Sequence, residues 1–240
     1  MSGAGLQVLR GVYVLNKLRA KFSKGEEVKY ISHLDTLRTF ERAVRRAGIP
    51  IAYSRGFNPR PQMSFGLPLS VGVTSDAEYV DLEMEDEISV EEFVQRLNNN
   101  LPKGFKVTNA EYVNSKESLM ASIRAASYQI RTFAEDRRNL EEVKRCIQEF
   151  MNRDVIIIEK ESKGNIKKVD IRPYIYEIKI IEYNENTVIL SMTLSAGSIF
   201  NLKPEPVLKA LNEFCRCNMS IQKIHRVGLF GQDIKSLLTV

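Results

Sequence analysis

Two hydrophobic periods alternate along the chain, and the order in which they switch predicts the fold. Leu18, Ala20 and Phe22 alternate with Arg19, Lys21 and Ser23, the period of two expected of a half-buried strand. From Ser32 the period changes. Leu37, Phe40, Val44 and Ala47 recur at spacings of three and four, which gives a helix over 32–47 one apolar face. Ser32 with Asp35 three residues on forms a cap at the positive end of that helix, and Gly48 supplies the left-handed stop. Residues 49–54 read as a strand entered through Pro50 at its edge, and 62–73 as a second extended segment. Residues 79–85 are a strand with Val80, Leu82 and Met84 on one face. Ser89 and Glu92 open a second helix carrying Val90, Phe93, Val94 and Leu97, which Asn98, Asn99, Asn100 and Pro102 end, and 105–113 is the closing strand.

The same rhythm returns after a connector over 114–126. A strand over 128–133 precedes a helix over 137–151 with Leu140, Val143, Ile147 and Phe150 on one side. Residues 155–159 are a strand, 163–165 a turn, and 176–183 with 187–194 a hairpin. Pro204 and Pro206 belong in the first turn of a helix running to Phe214, and 220–227 closes the unit. Each half reads β-α-β-β-α-β, the unit of the ferredoxin-like fold. The expected class is α+β: two ferredoxin-like domains in tandem with antiparallel sheets. The divisions fall at 1–16 (an N-terminal arm), 17–113, 114–126 (the connector), 127–231 and 232–240 (a C-terminal tail).

Composition changes this picture in two places. The chain has 240 residues and a formal net charge of +5, with the apolar and charged fractions of an ordinary globular protein. No apolar run approaches the ~20 residues that span a bilayer, and the first residues lack the pattern of a signal peptide, so a cytoplasmic protein with no membrane partner is expected. The charge is unevenly spread: residues 21–75 hold nine Lys/Arg against four Asp/Glu, and 76–100 hold nine Asp/Glu against one Arg. A basic face and an acidic face are expected, the basic one suited to phosphates or an acidic partner. Cys146, Cys215 and Cys217 offer neither two pairs for zinc nor a three-cysteine set for an iron–sulfur centre. They read as ordinary, partly buried helix residues of a reducing compartment, and no metal site is expected.

The candidate chemistry gathers between Tyr30 and Gly72. Arg38, Arg42, Arg45 and Arg46 lie opposite the apolar face of the first helix, and guanidinium groups in a row suit phosphates. Lys21, Lys24, Lys29, Arg55 and Arg60 extend this into a nucleic-acid track. Tyr53 and Phe57 interleave with the charge where bases can stack. A solvated arginine face, with Glu41 paired to Arg45, is the plainer alternative. The loop over 56–61 holds Gly56 and the turn Asn58-Pro59, with Pro59 and Pro61 excluding regular structure. His33, at the start of the helix, and Asp35 are the candidate acid–base pair or phosphate site. A surface or capping role without chemistry is the alternative. Asp170 and Arg172 fall on one strand face as an ion pair, and Arg172 is also a candidate for nucleic-acid contact. His225-Arg226 begins a short basic, glycine-bearing tail.

Residues 24–35 (KGEEVKYISHLD), 40–50 (FERAVRRAGIP) and 53–59 (YSRGFNP) together resemble the radical-SAM-linked bacterial protein family of unknown function. Its members occur alone or as the C-terminal part of radical SAM proteins. Asp170-Ile-Arg-Pro173 and Arg226-Val-Gly-Leu-Phe230 match two further elements of that family, so the resemblance covers nearly the whole chain. Position 55 usually holds an acid there and position 60 a histidine. Arg55 and Arg60 make this loop more basic and weaken a catalytic or metal role for it. The resemblance implies a radical SAM protein as partner, with the iron–sulfur cluster and S-adenosylmethionine on that partner and no cofactor in this chain, and it associates the family with RNA. A fainter fold-level likeness is to CRISPR-associated endoribonucleases. The resulting expectation is a non-catalytic RNA-binding accessory module that presents tRNA or rRNA to a radical SAM enzyme. The alternatives are an RNA-processing or RNA-modifying enzyme using His33 and Asp35, and an adaptor docking through the acidic segment 76–92.

Overall fold

The structure is a computed structural model describing residues 16–115, 117–135, 139–162, 164–184, 186–232 and 236–238. The expected arm lies outside these residues up to position 15, as does part of the expected tail. In chain order the elements are β1 (Asn16–Lys24), α1 (His33–Ala47), β2 (Met63–Phe65), β3 (Thr74–Met84), α2 (Val90–Asn98), β4 (Phe105–Val113), α3 (Leu119–Ser122) and β5 (Ala125–Ala134). They continue with α4 (Leu140–Met151), β6 (Ile157–Ser162), β7 (Asn165–Asp170), β8 (Ile175–Asn184), β9 (Thr187–Ser195), α5 (Pro204–Cys215) and β10 (Met219–Phe230).

The fold is α+β. One large sheet runs β4-β1-β3-β10-β5-β9-β8, with β2 also on β3, and β6-β7 form a separate ribbon. Pairing is antiparallel throughout except between β3 and β10, where His225 meets Thr74 and Arg226 meets Ser75 in parallel. The pattern predicts two sheets; that parallel pair merges the strands of both halves into one. Period-two alternation on β3 explains how one strand serves two cores. Val80, Leu82 and Met84 pack with Phe40, Val44, Phe93 and Leu97 of α1 and α2. Ala77 and Tyr79 belong to the second core, with Leu119 and Ile123 near α3 and residues of α4 and α5. Among the described residues no helix is long and apolar enough to cross a membrane.

Several expectations change. Residues 49–54 form no strand. Ile51 bridges Met84, and Tyr53 bridges Pro61 as the chain doubles back. The segment 62–73 keeps only the three residues of β2, because Pro68 lacks a donor and Gly72 takes φ 85°. The expected helix start at 137 lies outside the described residues; α4 begins at Leu140 behind an Asn139–Glu142 capping box. Asp170 and Arg172, expected on one strand face, fall at the end of β7 and in a 3-10 turn (Arg172–Tyr174). There Asp170 and Arg172 form no ion pair. Asp170 Oδ1 accepts from the amides of Ile156 and Arg172, and the Arg172 guanidinium donates to the carbonyls of Met151 and Ile175. The cysteines are not all thiols either. Cys146 and Cys215 form a disulfide joining α4 to α5, with Cα atoms 6.0 Å apart. The distance of 69 positions in sequence hid that pairing.

Side chains hold the junction of the two halves. Arg226 on β10 is 1% exposed. Its Nε and Nη2 donate to the Glu78 carboxylate at 2.8 and 2.5 Å, and Nη2 also donates to the Leu67 carbonyl at 2.9 Å. His225 Nδ1 lies 2.7 Å from Thr74 Oγ1 and its Nε2 3.0 Å from Asp76. Lys223 reaches Glu26 at 2.5 Å, and the Lys223 and Lys29 ammonium groups hold that exposed carboxyl at about 2, below its ordinary 4.5. A second buried pair, Arg19–Asp81 at 2.7 Å, ties β1 to β3.

Two stability changes follow from these links. Arg226→Met leaves the Glu78 carboxylate buried without its cation, and urea unfolding is expected to show a loss of about 3–5 kcal/mol. Adding Glu78→Leu to that variant should recover most of the loss; a silent Arg226→Met would show that the pair does not hold the junction. Reducing the Cys146–Cys215 disulfide is expected to lower stability by about 2–4 kcal/mol, read as a shift in the urea midpoint with and without reductant.

Candidate nucleic-acid interface

The surface formed by α1 and the loop over 54–61 is built from local rules. Ser32 Oγ accepts from the Asp35 amide at 3.2 Å and its hydroxyl donates to Asp35 Oδ2 at 2.7 Å, fixing the helix start. Phe40, Ala43 and Val44 are buried against the sheet, so Leu34, Arg38, Arg42 and Arg45 face outward. Phe40 is held by an aromatic cluster: its ring centroid lies 4.6 Å from Phe22, 5.4 Å from Phe65 and 5.7 Å from Phe105. Gly48, at φ 61°, ends the helix in the left-handed region.

The loop is closed on itself. The Ser54 amide donates to the Arg60 carbonyl at 2.9 Å, the Arg60 amide returns to Ser54 Oγ at 3.0 Å, and the Gln62 amide donates to the Ala52 carbonyl at 2.8 Å. Gly56 takes φ 131°, which a side chain would resist. Arg45 clasps the loop to the helix: Nη2 donates to the Pro59 carbonyl at 3.1 Å, and the guanidinium lies 5.8 Å from the Tyr53 ring centroid. An open groove of about 630 Å3 runs between them, with Leu34, Leu37, Arg38, Glu41 and Arg45 on the helix wall and Asn58, Pro59 and Arg60 on the loop wall.

Of the residues singled out from sequence, the structure places Arg38, Arg42, Arg45, Tyr53, Arg55, Phe57, Asn58 and Arg60 on this helix and loop, all exposed. Arg38 pairs with Asp35 at 3.2 Å. Arg46 leaves the row, donating to the Asn100 carbonyl just beyond α2 at 2.6 Å. Lys29 pairs with Glu26 at 2.9 Å and sits 5.1 Å from the Tyr30 ring; Glu26 raises its pKa. Lys24 is not on the surface: it is 3% exposed and donates to the Ile31 carbonyl at 2.7 Å, and burial lowers its pKa. Arg172 belongs to the other half, bound to the backbone carbonyls already described.

His33 and Asp35 diverge. The His33 ring meets Phe65 edge to face at 6.0 Å and lines a cavity of about 20 Å3 with Lys24, Thr36 and Glu78. That volume admits a water, not a nucleotide. Burial lowers the His33 pKa, partly opposed by Glu78. Asp35 is exposed, and the Ser32 hydroxyl, then Arg38, hold its carboxyl below the ordinary carboxylate range. Among the described residues no group of three His, Cys, Asp or Glu stands together as a metal site. The pairing of Arg226 with Glu78 was not anticipated from sequence. One signal existed: Glu78 is in phase with Val80, Leu82 and Met84, so period two puts a carboxylate on a buried face.

The family described as "Uncharacterized protein conserved in bacteria" (DUF2344) matches residues 17–204. No curated protein matches the sequence. Among solved structures, a chain in "Crystal Structure of a Cbf5-Nop10-Gar1 Complex" aligns with a TM-score of 0.53 at 10% identity, over 91% of this chain and 50% of that one. A chain in the archaeal box H/ACA sRNP Nop10-Cbf5 complex aligns with a TM-score of 0.49 at 9% identity, over 92% and 50%. At such identities the likeness is one of fold, and this chain spans about half the length of the chains it matches. The match over 17–204 covers most of the molecule, from β1 through β9, and the chain belongs to the DUF2344 family of proteins conserved in bacteria.

Proposed function

We propose that the chain is an RNA-binding accessory module. Its two halves are ferredoxin-like units joined edge to edge through β3 and β10, and the groove between α1 and the 54–61 loop takes up RNA. One observation carries this reading: Arg38, Arg42 and Arg45 on the helix and Arg55 and Arg60 on the loop are all exposed on one helix–loop unit. Five guanidinium groups supply a phosphate-binding track, and the Arg45 clasp on Pro59 pre-positions its two walls. The likeness to a chain of the Cbf5-Nop10-Gar1 complex supports the fold only, so the RNA reading rests on these arginines. The radical SAM partner rests on the resemblance of residues 24–35, 40–50 and 53–59 to radical-SAM-linked proteins. Residues of this chain do not fit an iron–sulfur cluster, because two of its three cysteines are bonded to each other. On this reading the cluster and S-adenosylmethionine are carried by the partner, as the resemblance implies.

The adaptor alternative loses two of the acids of its segment, while Glu85, Asp86, Glu87, Glu91 and Glu92 stay exposed. Glu78 and Asp81 are buried in pairs with Arg226 and Arg19, and Glu92 pairs with Arg96. The enzyme alternative loses the convergence of His33 with Asp35.

Filter-binding titrations test the main reading. Log affinity for RNA is expected to fall linearly with log salt, and Arg42→Ala or Arg60→Ala should each make that slope shallower by about 1. Affinity that ignores salt, or no affinity, would exclude it. An NMR titration addresses the enzyme reading. His33 is expected to titrate below its ordinary 6.5 and to be neutral at pH 7. Because the folded-state value is depressed, its contribution to stability is present above the unfolded value and lost as pH falls through the folded one. RNA turnover without a partner that His33→Ala abolishes would instead favour catalysis.

A further inference from the structure

The rim of the groove carries more than charge. Phe57, next in sequence to the groove-lining Asn58, is 106% exposed, and Leu34 on the helix wall is 63% exposed. A surface that holds phosphates alone has no use for such groups, and a fully solvated phenyl ring on a closed loop forgoes its burial. Charge is interleaved with these apolar groups along the sequence, the combination that nucleic-acid surfaces use. Leu34 is followed on the helix by Arg38, and Phe57 is flanked in sequence by Arg55 and Arg60. Tyr53 lies beneath the Arg45 guanidinium, a pairing of two flat groups that both stack on bases. Among the described residues lining the groove, Glu41 is the one carboxylate.

We infer that the ligand of this groove is single-stranded RNA, its unpaired bases stacked on Phe57 and Tyr53 while the arginines hold the phosphates. The inference rests on the RNA-binding reading above and names the form of RNA. In a duplex the base faces are covered by their neighbours, and an A-form helix offers phosphates and a shallow minor groove instead. Only an unpaired strand presents both phosphates and open base faces at the spacing of neighbouring nucleotides. The loop's internal hydrogen bonds and the Arg45 clasp hold Phe57 ready, so little ordering is required on binding.

Fluorescence anisotropy with labelled oligouridylate, a duplex RNA of equal length and the matching DNA strand tests this on the full chain. The single strand is expected to bind at least about 10-fold tighter than the duplex. Phe57→Ala should weaken that binding by about 5- to 100-fold, the range for loss of one base stack. The salt slope should stay unchanged, the duplex should be unaffected, and Phe57→Trp should restore affinity. Phe57 touches no core, so the variant's far-UV spectrum should match that of the parent. Equal or tighter duplex binding, or a neutral Phe57→Ala, overturns the single-strand inference and leaves RNA binding standing. Tighter binding of the DNA strand overturns RNA as the occupant. If no nucleic acid binds in any arm, the RNA reading itself falls, and this inference with it.

Discussion

Where β3 meets β10, the ladder alone is a thin connection: two residue pairs in parallel register join the strands of the first half to those of the second. Parallel pairing is slightly weaker per residue than antiparallel pairing, so side chains carry much of the join. The Arg226–Glu78 pair is bidentate, nearly free of solvent, and anchored to the Leu67 carbonyl on the segment between β2 and β3. One guanidinium thus fixes three parts of the chain: β10, β3 and the segment over them. Such a pair has a large desolvation cost, and its geometry must be good for the attraction to offset it. Bidentate contact with a third acceptor meets that condition. The Lys223–Glu26 and His225–Asp76 contacts lie along the same seam but are more exposed, and exposed pairs contribute little.

The candidate interface depends on this join indirectly. Glu78 stands beside His33 and Lys24 around the small cavity under the start of α1. The helix rests on the Phe22, Phe40, Phe65 and Phe105 cluster. Its inward face is therefore fully committed, apolar rings at the centre and a polar seam at the N-terminal end. What remains for a ligand is the outward face, where the arginines are. This division explains why His33 and Asp35, two positions apart, do different work. Successive helix positions diverge by about 100°, so one side chain enters the cavity while the other meets solvent and caps the helix.

The longer helices were legible in sequence because each has an apolar period and a local start signal: a side-chain cap on α1, α2 and α4, and proline in the first turn of α5. α1, α2 and α5 begin or end within a residue or two of their expected limits, and the closing strands of both halves were recognised. The misread features depend on pairings that neither period nor composition reveals. Residues 49–54 have strand-like composition but pair with a single residue of β3 and with their own return segment. The disulfide joins two helices whose cysteine-bearing faces meet only after folding. Asp170 and Arg172 match as charges, yet each is satisfied by backbone groups in a turn that composition does not reveal. For the site, exposure decided the outcome: Arg38, Arg42, Arg45, Arg55 and Arg60 stand where amphipathic periodicity and loop chemistry place them. Lys24 does not, because the end of its strand is covered.

Charge counts along the sequence mislead for the same reason. The stretch 76–100 holds nine acids and suggests an acidic surface, but strand geometry divides them. On β3, Glu78 turns to Arg226 on one side of the sheet and Asp81 to Arg19 on the other, because their positions differ by an odd number. Both become internal counter-charges for arginines that would otherwise have counted towards a basic face. The basic residues of 21–75 are divided less, since five arginines sit on one exposed helix face and one exposed loop. Charge in this protein is therefore best assigned by element and phase. By that criterion the exposed basic track survives as a surface, and the acidic run divides into two internal pairs on β3 and an exposed run of carboxylates from Glu85 to Glu92.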